Sequence, residues 1–220
     1  MLKKTKFLQN LNKLFFYKVF IIIKGLKDKN QRAWQRMLSG RKLDILSPSP
    51  MDIEIEDIAL GLSRVSRWNG QTTGNHSYSV AQHSILVEKI FTQNNSKSQI
   101  KWRLAALLHD GPEYVIGDLI TPFKYALNNS YRLVENNLMQ AINLRFGLPA
   151  IIPKTIESNI KKADKAAAWF EAIHVAGYKE NEALQILKKP NLKLNIKIKP
   201  LSPKRTIEDF LKRFNELIKK

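Results

Sequence analysis

The chain has 220 residues, no cysteine, and a formal charge of +18 from 37 Lys and Arg against 19 Asp and Glu. Such a length suits one domain with one sizeable core. Without Cys there are no disulfides, thiolate zinc sites or cysteine nucleophiles, so any metal must be held by His, Asp or Glu. The charge would suit a nucleic-acid or membrane-surface partner. However, Lys is dispersed over both termini and the exposed faces, which reads as compositional bias, and no specific nucleic-acid partner is expected.

In chain order, Leu8, Leu11, Phe15, Val19, Ile22 and Leu26 recur at three- and four-residue steps and predict a basic amphipathic helix or extension over 1–30. Packing on the body is the favoured use of its apolar face; contact of residues 1–27 with a membrane surface is the alternative. Lys18 interrupts the apolar run well short of the roughly 20 residues that span a bilayer, and no small-residue cleavage site follows, so the expected location is the cytoplasm. A short helix is expected from Gln31 to Gly40, carrying Trp34 and Met37, before Ser47-Pro48-Ser49-Pro50 forces a turn.

Ile53 to Val65 reads as a helix with Ile55, Ile58, Ala59 and Leu62 on one face, and Asn69 to Asn75 as a polar surface loop. Further helices are expected over Ser79–Phe91, Gln99–Asp110, 130–146, 154–177 and Thr206–Ile218, with a break at Asp118–Pro122. Only Leu192–Lys199 alternates with period two like a strand. The expected architecture is all-α: one helical bundle over 31–190, the N-terminal helix before it, and a basic segment with a closing helix over 191–220.

Three of these helices place polar groups where the apolar pattern predicts burial: His83, the adjacent pair His109-Asp110, and Asp164. Buried imidazoles and carboxylates cost stability unless something pairs with them. Facing helices that project such groups inward are a common way to build a metal site. Each residue alone has a simpler reading, as a packed histidine or a helix-end cap. The adjacent pair after five apolar residues, with Glu113 one turn on and Asp118 in the next loop, is hard to explain structurally. Two imidazoles and two carboxylates suit one divalent ion among Mn, Co, Fe, Ni and Zn without choosing between them.

The segments Val80-Ala81-Gln82-His83-Ser84, Leu107-Leu108-His109-Asp110-Gly111-Pro112-Glu113, Gly117-Asp118-Leu119-Ile120-Thr121-Pro122-Phe123-Lys124-Tyr125 and Ala163-Asp164-Lys165 resemble the HD-domain metal-dependent phosphohydrolases. Within them the likeness is greatest to the branch of YfbR-type 5′-deoxynucleotidases, over roughly Arg67 to Phe170. The resemblance implies an HD-type bundle with His83, His109, Asp110 and Asp164 as metal ligands, Glu113 as catalytic acid/base, and Asp118 as a second carboxylate at the reacting phosphate. It also implies that Arg67 and Trp68 contact the nucleotide and that Thr121 and Lys124 surround the phosphate; the branch is often dimeric, which makes a homodimer one option alongside a monomer.

Ile120 stands where the nucleotidases have a proline, and the loop before His83 carries an extra His76. These departures touch nucleotide preference and leave the metal site intact. The expected activity is hydrolysis of a small phosphomonoester, first among them a (deoxy)nucleoside 5′-monophosphate. The alternatives are another phosphate or pyrophosphate nucleotide as substrate, or a basic nucleic-acid-binding module around a structural metal. His76 reads most simply as a loop residue, and His174 as a group favouring the negative end of its helix dipole.

Overall fold

A computed structural model describes residues 33–191 and 196–219. The amphipathic stretch expected over 1–30 and residues 192–195 lie outside them. Among the described residues, nine helices follow a small hairpin: α1 (Ile55–Arg64), α2 (Val80–Asn94), α3 (Ile100–Leu107), α4 (Glu113–Ile116), α5 (Thr121–Ala126), α6 (Asn128–Arg145), α7 (Lys154–His174), α8 (Glu180–Ile186) and α9 (Pro203–Ile218). Single 3₁₀ turns at Pro50–Asp52 and Arg67–Gly70 link the early elements.

The core forms where the apolar stripes of these helices meet. Ile58, Ala59 and Leu62 of α1, Val87, Ile90 and Phe91 of α2, Leu104 to Leu108 around the end of α3, and Phe210, Phe214 and Leu217 of α9 are all buried. Burying one such aliphatic or aromatic side chain contributes about 1.5–3 kcal/mol. The closing helix is fastened by a buried ion pair as well: Arg213 donates from Nε to Glu88 Oε2 at 2.8 Å, with Glu88 only 2 % exposed. α7 lies along α2, and α9 crosses α1, α2 and α3.

Two local expectations are corrected. The segment expected as a helix over Gln31–Gly40 holds strand β1 (Trp34–Arg36), paired antiparallel with β2 (Lys42–Asp44) in the register Gln35 opposite Leu43. The three-residue spacing of Trp34 and Met37 imitates a helix. Gly40, at φ 102°, instead turns the chain, and Leu43 is the residue that goes fully into the core. The loop is then anchored to α1, where Ser39 donates from its backbone N to Asp57 Oδ1 at 3.1 Å.

The alternation over Leu192–Lys199 does not make a strand of residues 196–199. Ile196 and Ile198 pack on the core, while the nearby backbone bonds to one side chain of α2: Gln82 Nε2 donates to the Lys199 carbonyl at 2.9 Å and Gln82 Oε1 accepts from Leu201 N at 3.1 Å. Over 196–199, period two records two inward-facing isoleucines with no ladder partner among the described residues.

Candidate metal centre and its surroundings

The first turn of α2 is placed by its own cap and by a short backbone clasp. Ser79 caps it, accepting from Gln82 N at 3.3 Å. Arg67 N donates to the Tyr78 carbonyl at 2.8 Å and Val80 N to the Val65 carbonyl at 3.0 Å. This clasp sets Arg67 beside the turn that carries His83. Immediately after it, Trp68 and Asn69 adopt φ 56° and 51°, followed by Gly70 at 74°. Left-handed backbone costs a non-glycine residue about 1–2 kcal/mol, so this bend is held by its surroundings.

His109 and Asp110, expected on the last turn of a helix over Gln99–Asp110, lie instead just beyond its end, in the tight turn that follows α3 at Leu107. Gly111 is required there, since a Cβ would sit 2.9 Å from the Leu108 carbonyl oxygen and 3.0 Å from Ile142 Cδ1. Pro112 then leads into α4, whose first residue is Glu113.

His83 is fully buried, and its ring spans two carboxylates of α7. Nδ1 is 2.5 Å from Glu171 Oε1; Nε2 is 3.3 Å from Asp164 Oδ1 and 3.4 Å from Asp110 Oδ2. His109 Nδ1 faces the Ala106 carbonyl at 2.9 Å. A carbonyl only accepts, so Nδ1 carries the proton and Nε2 presents its lone pair. That Nε2 is 3.2 Å from Asp110 Oδ2. Both Nε2 atoms are buried, near carboxylate oxygens, yet without hydrogen-bond geometry to any partner.

One ligand atom each from His83, His109 and Asp164 falls within 4.8 Å of the others. Orphaned imidazole nitrogens converging with carboxylate oxygens match the donor set of a divalent cation. Without an ion, these groups perturb one another. Burial and Arg67 oppose protonation of His83, but Glu171, Asp110 and Asp164 raise its pKa well above the ordinary value. Burial works against ionising Asp110 and Asp164, and the imidazoles outweigh it, lowering both.

Glu113 is 3 % exposed, and burial followed by the charges of Asp110 and Asp118 pushes its pKa up to about 9. One of its oxygens is 3.4 Å from Lys124 Nζ while the other has no partner. Lys124 also reaches Glu135 at 3.3 Å, and these two carboxylates hold its pKa up against the opposing effect of burial. Arg67 joins Asp118 through Nη1 and Glu171 through Nε and Nη2, each at 3.3 Å.

The fold brings together His83, His109, Asp110 and Asp164, with Glu113, Asp118, Arg67, Trp68 and Lys124 around them. Thr121 opens α5, and this backbone position is what the structure describes of it. His76 is exposed in its loop and His174 is exposed at the end of α7, both apart from the cluster. Glu171 was not anticipated. Its signal is its place seven residues after Asp164, two turns along the same helical stripe.

The sequence model of the 5′-deoxynucleotidase YfbR-like family matches residues 61–217. The chain belongs to that family. As a YfbR-like protein it shares the HD-type helical bundle, and HD-family hydrolases use a divalent metal. An uncharacterised protein of Rhodobacter capsulatus is 58 % identical over 161 residues, covering 73 % of this chain and 82 % of its own length. The uncharacterised protein YfdR of Escherichia coli is 29 % identical over 166 residues, covering 76 % of this chain and 85 % of its own. The YfbR-like match begins within α1 and ends within α9, so it takes in α2, α3, α4 and α7, which bear or adjoin the His83, His109, Asp110 and Asp164 cluster.

Proposed function

We propose that this YfbR-like protein hydrolyses a small phosphomonoester, with (deoxy)nucleoside 5′-monophosphates as the substrate class and one divalent ion held by His83, His109, Asp110 and Asp164. The observation that carries the reading is the pairing of two buried, partnerless imidazole nitrogens with a buried acid, Glu113. A structural metal site has no use for such an acid.

When bound, the ion supplies Lewis acidity, making water acidic enough to attack near neutral pH and offsetting charge on phosphate oxygens. The chain's own groups do the rest. Arg67 spends one N–H from each of its three nitrogens on Glu171 and Asp118, leaving one on each terminal nitrogen for the phosphate. Lys124 adds a point charge beside Glu113. Trp68 borders the same approach, with its indole N–H fixed on Glu171 at 3.0 Å.

In the metal-free chain, burial and then the charges of Asp110 and Asp118 push the pKa of Glu113 up to about 9, and a buried carboxyl that keeps its proton suits general-acid work. It donates its proton to the leaving alkoxide as the bond from phosphorus to that oxygen breaks. The attacking water forms the new bond and gives its proton to Asp118, whose carboxylate is oriented by Arg67.

A phosphate-release screen over nucleoside 5′-monophosphates with Mn or Co tests this. Phosphate is expected from one or more of them, falling by about 10²–10⁴ in Glu113→Ala. No release from any nucleotide, with Asp110→Ala behaving like wild type, overturns the reading. Pyrophosphate as product redirects it to a pyrophosphate linkage.

A further inference from the structure

Glu171 is the one fully buried carboxylate of the site that the proposed chemistry leaves without a task. Its two oxygens face different halves of the site. Oε1 meets His83 Nδ1 at 2.5 Å. Oε2 accepts from Trp68 Nε1 at 3.0 Å and from Arg67 Nε and Nη2 at 3.3 Å each. No other side chain among those described bonds both to a candidate metal ligand and to the Arg67-Trp68 pair.

We propose that Glu171 is a positioning residue that orients the metal ligand His83 and the substrate-facing Arg67-Trp68 pair at the same time, so that ion binding and phosphate binding depend on one carboxylate. The proposal rests on the phosphohydrolase reading above and adds a residue that neither the motif nor the family match assigns.

On the metal side, a carboxylate can only accept from Nδ1–H, which leaves Nε2 as the nitrogen facing Asp110 and Asp164 and makes the ring a better donor to a cation. On the substrate side, the left-handed bend at Trp68-Asn69 is closed in its backbone by Gln71 N donating to the Trp68 carbonyl at 2.9 Å, while its side chains are held separately. The indole ring rests on Tyr178, with ring centres 5.7 Å apart, while its N–H and the Arg67 fork end on Glu171 Oε2. Relaxing that oxygen would let the bend move and carry the guanidinium away from the phosphate.

The alternative is a buried counter-ion for Arg67 with no bearing on the ion. Glu171 is not expected to touch substrate, and it would act only through the three side chains it holds.

Two variants separate these roles. Glu171→Gln keeps the shape and removes the charge; Glu171→Asp keeps the charge and withdraws it by one methylene, too short to serve both sides. Calorimetry with Mn²⁺ alone reads the metal side, and the KM for deoxyadenosine 5′-monophosphate at saturating Mn²⁺ reads the other. The expected result is a Mn²⁺ Kd weakened about 10-fold or more together with a KM raised several-fold, in whichever variant keeps the wild-type circular dichroism spectrum.

A folded variant with wild-type Mn²⁺ affinity overturns the joint role, whatever its thermal stability. So does a weakened Mn²⁺ affinity with an unchanged KM. Failure of the wild-type protein to bind any of Mn²⁺, Co²⁺, Fe²⁺, Ni²⁺ and Zn²⁺ overturns the hydrolase reading itself and this proposal with it.

Discussion

Glu113 carries a cost that its chemistry explains. Burial and two neighbouring carboxylates raise its pKa from 4.5 to about 9, so in the metal-free protein the folded chain holds a proton that the unfolded chain releases. A carboxyl with a raised folded pKa stabilises most below its unfolded value and loses that advantage as pH climbs through the folded one. Metal-stripped Glu113→Gln is therefore expected to match wild-type stability near pH 4.5 and to exceed it increasingly up to about pH 9, as read by thermal melts across pH. A gap that stays constant with pH would mean that the carboxyl does not titrate in this way. Four residues of the cluster were legible in the sequence because His83, His109, Asp110 and Asp164 interrupt apolar patterns. Glu171 was not, because a glutamate in a long helix is usually solvated, and nothing local shows that α2 will cover it with an imidazole.

At the scale of elements, the site depends on how closely α1 admits α4. Gly61 faces Tyr114, where an added Cβ would lie 2.7 Å from Tyr114 Cβ and 2.8 Å from its carbonyl oxygen. Gly61→Ala must push α4 away and take Glu113 with it. The expected cost is about 1–3 kcal/mol of stability, with a loss of kcat larger than that of a comparably destabilising substitution in α8. Unchanged kcat in a folded Gly61→Ala protein would show that α4 can shift without consequence. Long amphipathic helices such as α7 and α9 were readable from periodicity, since one stripe decides their fate. The hairpin at Trp34–Asp44 was not, because three-residue strands are too short to establish a period and their turn depends on Gly40 adopting positive φ. Tertiary context decided there, with Leu43 taken into the core and Asp57 bonded to the loop.

Across the whole molecule, a chain of charge +18 keeps acidic groups at its centre, with Asp110, Glu113, Asp118, Asp164 and Glu171 gathered around two imidazoles. Such an interior is expensive without a cation. Three separated stretches of sequence supply it, and the bundle exists in a form that brings α2, the turn after α3, and α7 to one place. No described helix is long and apolar enough to cross a membrane. The proposed activity requires those three stretches to act through one ion. The most direct measurement is the rate of phosphate release from a nucleoside 5′-monophosphate by metal-stripped protein as Mn²⁺ is added, with wild type beside Asp164→Ala. The account predicts no release before Mn²⁺, saturable activation of wild type, and almost none of the variant. Equal rates with and without Mn²⁺, or an Asp164→Ala protein that titrates like wild type, would contradict it.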